Sequence, residues 1–307
     1  MSFPRLKRSP AFVSALLAWA VLLWTVATAQ ADAGFLWTIE ALDGRRLHLL
    51  GSIHVASESF YPLNRTINEI FENSKELIVE VDVTRTDEAL KASKFIKKGV
   101  YFDGRTLWDD LDAEMTTLLE AKLVDSVFDK QSVSFMKPWL TALTLEIDII
   151  KRLGYDEKLG VDIHFLERAK AKGLPINELE TLEEQISLFT NMSENESILM
   201  LKSVLMDEET TKDIEELTKA WRDGDVDGFY DVYFRNYIRN PDLMPLMDRL
   251  IHDRNFLMFE RLKPFFRPRG QEAFAVAGSA HLVGPDGLPA LFEKNGYRVE
   301  QLQLAVE

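Results

Sequence analysis

The chain contains no cysteine. That absence excludes a disulfide-stapled scaffold, a cysteine-ligated zinc or iron–sulfur centre, a thiol nucleophile and the lipobox of a lipoprotein anchor. Positive charge is also in deficit: 36 lysines and arginines stand against 50 aspartates and glutamates, a net charge of −14. A nucleic-acid partner requires cations to displace its counterions, so none is expected. The His-Glu-x-x-His helix of the standard zinc proteases does not occur. Linkers rich in glycine, serine or proline and low-complexity runs are missing too. Histidine is scarce, five in 307 residues, which makes the position of each one informative.

What is present begins with an address. Arg5, Lys7 and Arg8 form a basic start, and 11–28 is apolar apart from Ser14, Thr25 and the closing Thr28. Small residues around Ala29 and Ala31 follow, so residues 1–31 read as a secretory signal peptide. An uncleaved anchor is the alternative, because the apolar run nears the roughly 20 residues that span a bilayer. Cleavage after Ala31 removes three cations and leaves a net charge of −17. No later segment is apolar and uncharged over 18 residues, so no further span is expected and no membrane contact after cleavage. The expected location is periplasmic or secreted.

The remainder, 32–307, reads as a single α/β domain with strands at both ends and helices between. Strands are expected at 35–41 and 46–50 around an Asp43-Gly44 turn, at 77–83, at 175–179, at 273–277 and at 297–302. Helices are expected at 62–75, 137–153, 161–172, 194–222, 225–239, 242–262 and 287–295. The fold class is therefore a central mixed sheet built from N- and C-terminal αβ units, with helical insertions at about 104–158 and 190–265.

Two strand ends match. Gly51-Ser52-Ile53-His54 ends one strand and Gly278-Ser279-Ala280-His281 another. In open α/β sheets ligands sit at the carboxyl ends of strands, and a histidine there offers an imidazole for a metal or for proton transfer. Turn histidines that merely cap helices are the plainer alternative. Glu80 stands near the end of the 77–83 strand, and a carboxylate buried there must meet a cation, a metal or donors; if that face is wet, it is only a solvated glutamate. Two histidines and a carboxylate, His54, Glu80 and His281, are the minimum set for a catalytic divalent ion. Arg254 falls within the apolar stripe Leu243, Met247, Leu250, Ile251, Leu257 and Met258 of the 242–262 helix. A buried arginine needs an anion; a substrate oxyanion or a structural partner such as Asp82 or Asp162 would serve. Asn255 adjoins it. Asp162 suits a helix N-terminus, and His164 faces either the cleft or Phe165. His48 is expected as a hydrogen-bonded core residue, His252 at the surface, and Tyr230, Tyr233 and Tyr237 with Phe229 and Phe234 as core packing.

Taken together, Leu-Leu-Gly-Ser-Ile-His54, Leu-Ile-Val-Glu80-Val-Asp, Gly160-Val-Asp162, Leu179-Glu180-Thr with Gln185, Asp253-Arg254-Asn255 and Val276-Ala-Gly-Ser-Ala-His281 resemble the TraB/GumN family over about the whole mature chain. That family includes the Tiki metalloproteases and is related in fold to the erythromycin esterase and ChaN groups. The resemblance implies a site at His54, Glu80 and His281, manganese or cobalt as the supporting ion, and Arg254-Asn255 as the family's Arg-Asn pair. Zinc and iron are not excluded by the ligand types.

The expected activity is a metal-dependent hydrolase acting on a peptide or protein. His54 and His281 hold the ion together with Glu80, or Glu80 acts as general base; Arg254 and Asn255 steady the oxyanion. His164 is a further catalytic candidate. Two other classes use the same histidines: a non-catalytic haem or iron carrier of this fold, and a metal-free esterase with a histidine base.

Overall fold

The computed structural model describes residues 35–85, 93, 95–206, 209–239, 241–302 and 304; the expected signal peptide lies outside them. Its centre is a six-stranded sheet. Strands β1 (Leu36–Glu40) and β2 (Arg46–Ser52) pair antiparallel, with Leu36 opposite Leu50 and Glu40 opposite Arg46. The turn between them uses Gly44 at φ 80°, a left-handed conformation that glycine adopts without a Cβ penalty. His48 stands opposite Thr38 in this pair, Nδ1 to Oγ1 3.1 Å. It is half-buried and hydrogen-bonded.

After β2 come helix α1 (Arg65–Asn73), capped by the Asn64 side chain, and strand β3 (Leu77–Val79). Helices α2 (Ala113–Val124), α3 (Pro138–Arg152) and α4 (Val161–Lys172) precede β4 (Ile176–Glu178). Then follow α5 (Leu182–Thr190), α6 (Glu194–Met206), α7 (Thr210–Asp223), α8 (Val226–Arg239) and α9 (Asp253–Leu262). Strand β5 (Ala273–Gly278), helix α10 (Leu288–Lys294) and strand β6 (Arg298–Gln301) complete the order. Spatially the strands run β4-β3-β5-β2-β1-β6, with β4, β3, β5 and β2 mutually parallel. The chain is thus a mixed α/β protein. β2 and β3 are not neighbours, because β5 from near the end of the chain lies between them. This places the carboxyl ends of β2, β5, β3 and β4 side by side, where open α/β sheets hold their ligands.

β5 is buried along its whole length. Its residues are apolar, and all but Phe274 are small, because helices cover both faces of a parallel sheet. Phe274 meets Phe71 of α1 and Phe165 of α4, ring centroids 5.5 and 5.0 Å apart. A second hydrophobic cluster lies among the helices, built from Leu107, Leu119, Trp139, Leu145, Leu201 and Leu205 among others. It is tied by the Trp139 backbone N–H donating to Ser197 Oγ at 2.9 Å.

Three expectations change. The 77–83 strand is only Leu77–Val79: beyond it Asp82 turns to Lys170 (3.2 Å) and Thr84 rather than continuing the ladder. The single helix expected over 194–222 is two, α6 and α7, with residues 207–208 outside the described set. The helix expected over 242–262 is broken into a 3₁₀ turn (Pro241–Leu243), a short α turn (Met244–Met247), a π-helical turn (Asp248–His252) and α9. A π turn takes in an extra residue, and each added residue rotates the remainder of the helix by about 100°. Leu257, expected in the buried stripe, is accordingly 51% exposed, while Asn255 is buried. No helix among the described residues is long and apolar enough to cross a membrane.

Phe274 is fully buried between two other rings. Phe274→Ala is expected to cost about 3–5 kcal/mol of stability through lost transfer energy and the cavity left behind. Urea denaturation with an unchanged slope checks this; a loss under about 1 kcal/mol would mean that α1 and α4 collapse onto the space.

Candidate functional site

The two Gly-Ser-x-His strand ends interlock. Ser279 Oγ donates to the Ser52 carbonyl at 3.0 Å. A Cβ on Gly51 would stand 2.8 Å from Ser279 Oγ and 2.9 Å from Phe35 Cβ, so only glycine permits this approach. Gly278 plays the same part inside the site. A Cβ there would lie 3.1 Å from His54 Nε2 and 3.3 Å from Glu80 Oε1. The bare face of Gly278 is therefore the point around which His54, Glu80 and His281 gather.

Glu80 is the first residue past β3 and is 9% exposed. Oε1 accepts from the Gly278 N–H at 2.6 Å; Oε2 accepts from Arg254 Nη2 at 2.6 Å and from Gln185 Nε2 at 3.3 Å. Burial disfavours its charge, but the neighbouring imidazoles, the guanidinium and the Gly278 N–H together hold its pKa down at about 2. Arg254 also binds Glu180, Nη2 to Oε2 at 2.6 Å and Nε to Oε1 at 2.9 Å, while Nη1 donates to the Leu250 carbonyl at 3.0 Å. Burial works against its charge, and the two glutamates raise its pKa further still.

The histidines are fixed by different partners. Asn255 Nδ2 donates to the Asp286 carbonyl at 2.8 Å. A carbonyl can only accept, so Asn255 Oδ1 must be the end that meets His281 Nδ1 at 2.6 Å. His281 then carries its proton on Nδ1 and presents the Nε2 lone pair 3.9 Å from Glu80 Oε1. Burial pushes its pKa down to about 3, Arg254 and His54 adding to the effect against the pull of Glu80. His54 lies in the open cleft, its side chain 62% exposed, with Nδ1 3.2 Å from Asp162 Oδ2. Desolvation opposes its charge, but the hydrogen bond and charge of Asp162, with Glu80, raise its pKa to about 9. Asp162 is placed by the first turn of α4, whose Val161 N–H donates to the Ile53 carbonyl at 3.0 Å. Two imidazoles side by side thus have pKa values pushed in opposite directions.

The structure brings together His54, Glu80, His281, Arg254 and Asn255 around Gly278. It does not bring His164. That ring packs on Tyr61 (4.8 Å) and Phe165 (5.1 Å) beside Arg168 and is not among the residues that line the cleft with the others. The Asn255 amide has both ends engaged by protein groups, and Arg254 binds two carboxylates. Both side chains are thus engaged by groups of the protein. The structural partners considered for Arg254, Asp82 and Asp162, are replaced by Glu80 and Glu180. His252 is partly buried, paired with Asp248 at 2.9 Å and stacked on Phe234 at 6.0 Å. The rings of Phe229, Tyr230, Tyr233 and Phe234 stack on one another and on the main core.

Glu180 and Gln185 received no role from the sequence. Glu180 directly follows the strand expected at 175–179, and the cost of burying a carboxylate that singled out Glu80 applies to it equally. Gln185 sits one residue past the capping box of α5, where Thr181 Oγ1 accepts from the Glu184 N–H at 3.1 Å and Glu184 Oε2 accepts from the Thr181 N–H at 2.7 Å. Among the described residues, no group of three or more histidine, aspartate or glutamate side chains is already arranged to hold a metal ion.

Fold and site define an α/β protein whose paired Gly-Ser-x-His strand ends close on a buried glutamate–arginine cluster. The chain belongs to the TraB/PrgY/gumN family, whose sequence model matches residues 35–301. It is similar to the proteins named Uncharacterized protein YbaP of Escherichia coli (strain K12) and of Shigella flexneri, each 26% identical over 279 residues that cover 88% of this chain and 98% of the relative. No solved structure matches.

Removing Arg254 leaves two buried carboxylates without their cation. Arg254→Met is expected to destabilise the chain by about 3–5 kcal/mol, and Glu180→Gln in the same chain to recover part of it; additive losses in a double-mutant cycle would contradict the shared ion pair. His164 gives a pH test. Burial and Arg168 lower its pKa from 6.5 to about 4. The unfolded chain therefore binds more protons between those values, and stability falls as pH drops through that window. His164→Gln should lose less stability than the parent between pH 7 and pH 4.5, read as urea midpoints; parallel curves would show that His164 titrates normally.

Proposed function

We propose that this chain is an exported, metal-dependent hydrolase acting on peptide bonds, with its centre at His54, Glu80 and His281. One observation carries the reading. Two imidazoles, each with Nδ1 anchored by an oxygen acceptor, flank a buried, ionised carboxylate around Gly278. Anchoring Nδ1 on a carboxylate or amide oxygen frees Nε2 and is how proteins orient metal-ligating histidines. The donor types fit a divalent ion with open positions. The fit is not complete as it stands, since Glu80 already bonds Gly278, Arg254 and Gln185. His54 and His281 would be the principal ligands, with Glu80 contributing a lone pair it still has free.

When bound, a divalent ion supplies Lewis acidity toward a carbonyl oxygen and toward water. The protein's own groups do the rest. Asn255 keeps His281 in the tautomer with Nε2 bare. Asp162 orients His54 at the open face of the cleft. Arg254 holds Glu80 ionised without letting its charge spread into the cleft. The leader, residues 1–31, supports export to the periplasm or medium.

The test is elemental analysis of the purified chain with His54→Ala, His281→Ala and His252→Ala variants, stripped and offered manganese, cobalt, zinc or iron. Near-stoichiometric metal lost in the first two variants and kept in His252→Ala is expected, together with peptide hydrolysis that chelators abolish. No specific metal in any sample would sink the reading. The Asp162–His54 pair favours one other reading, hydrolysis by an oriented histidine with no metal; activity that survives chelation and is lost in Asp162→Ala would establish it.

A further inference from the structure

The cleft beside His54 has a volume of about 440 Å³ and a lining of two unlike kinds. Its polar part is His54, Glu80, Asp162, Gln185 and Arg254. Its apolar part, a wall of exposed hydrophobic surface, is Val83, Ile163, Leu188, Phe189 and Leu250. These come from four separate parts of the chain, the segment after β3, α4, α5 and the π-helical turn. The wall lies on the seam between the two hydrophobic clusters, and Leu250 packs against both. Phe189 is held in place by Trp139, ring centroids 6.0 Å apart and nearly parallel, and by Phe95 edge-on at 5.9 Å. A second apolar hollow of about 200 Å³ adjoins the first, sharing Gln185 and Phe189 and adding Phe95, Leu182 and Ile186.

We infer that this wall selects the substrate: a peptide segment with two adjacent neutral, apolar side chains, one in each hollow. The inference rests on the hydrolase reading for the chemistry after binding. Apolar surface that remains open at a catalytic edge is satisfied by a ligand's apolar groups. Two hollows joined at one aromatic residue suit consecutive side chains of a chain better than a single compact group. Charge points the same way. The Arg254 guanidinium facing the cleft is already matched by Glu80 and Glu180, and Glu157 at its edge is paired with Lys151 at 2.9 Å. Asp162 is paired in turn with His54 at 3.2 Å, so each cation lining the cleft already has its carboxylate and an acidic side chain finds no unspent guanidinium.

Isothermal titration of the purified full chain in chelator reads binding apart from turnover. The probes are N-acetyl-Leu-Phe-amide, N-acetyl-Gly-Gly-amide and N-acetyl-Asp-Glu-amide. The Leu-Phe peptide is expected to bind at least about tenfold tighter than the other two, a discrimination in the range of a few methylenes in an apolar pocket. Leu188→Asp should abolish that preference. Val83→Asp, at a position 47% exposed where a charge is tolerated by the fold, should reduce it. Equal affinities for the three peptides, no measurable binding of the Leu-Phe peptide, or an undiminished preference in both variants would overturn the inference. Mass spectrometry of the same peptides with manganese, cobalt, zinc or iron separates the two proposals. Apolar binding without cleavage under any ion keeps the wall and sinks the hydrolase; cleavage without apolar preference does the reverse.

Discussion

Arg254 reaches two carboxylates at once, and the site is organised around that contact. Glu80 and Glu180 follow adjacent parallel strands and are almost dry, 9% and 5% exposed. Side by side without a cation, one of them would have to take up a proton. The planar guanidinium fork meets both carboxylates simultaneously, which the compact ammonium of a lysine does not match in geometry. Gln185 adds a neutral bridge to both acids. Strand ends that would repel are thereby held in register, and Glu80 keeps the charge that the histidines sense.

The π-helical turn before α9 is what makes this contact possible alongside a second one. It sets the phase in which Arg254 and its neighbour Asn255 leave the helix. Arg254 goes to the glutamates, and Asn255 goes to His281 and the Asp286 carbonyl. One turn of one helix therefore sets both the ionisation of Glu80 and the tautomer of His281. π turns recur at functional sites for this reason: they re-aim side chains without ending the helix. The other imidazole is set from the opposite flank by Asp162 of α4, whose start is bonded to the backbone just before His54.

The remaining constraint is steric. The two Gly-Ser-x-His segments approach so closely that the Ser279 hydroxyl reaches the Ser52 carbonyl, and glycines at 51 and 278 leave the room. Below this layer lies the sheet core, and beside it the helical cluster of α2, α3 and α6. The cleft opens where the two clusters meet, and strand ends and surrounding helices both contribute to its polar and its apolar lining.

Much of this was legible in one dimension. The alternating and continuous apolar runs located β1, β2, β3 and β5, because each had to bury one or both faces. The spacing of α4 between Gly160 and Gly173 located that helix to the residue. The repeated Gly-x-x-His located both histidines, and the cost of burying a charge pointed to Glu80. What the linear pattern did not carry was pairing. Nothing along the chain says that β5 inserts between β2 and β3, which is what brings His54 and His281 to one glycine. The stripe that put Arg254 on a buried face assumed a continuous helix; its partners depended on a π turn and on β4 lying beside β3. His164 had the residue type of a catalytic group but faces Tyr61, since helix phase relative to the sheet is set by packing. Sequence determined the elements and the chemical inventory, because periodicity, caps and burial costs are local. Tertiary structure alone decided which charges neutralise which, because those interactions act across strands far apart in the chain.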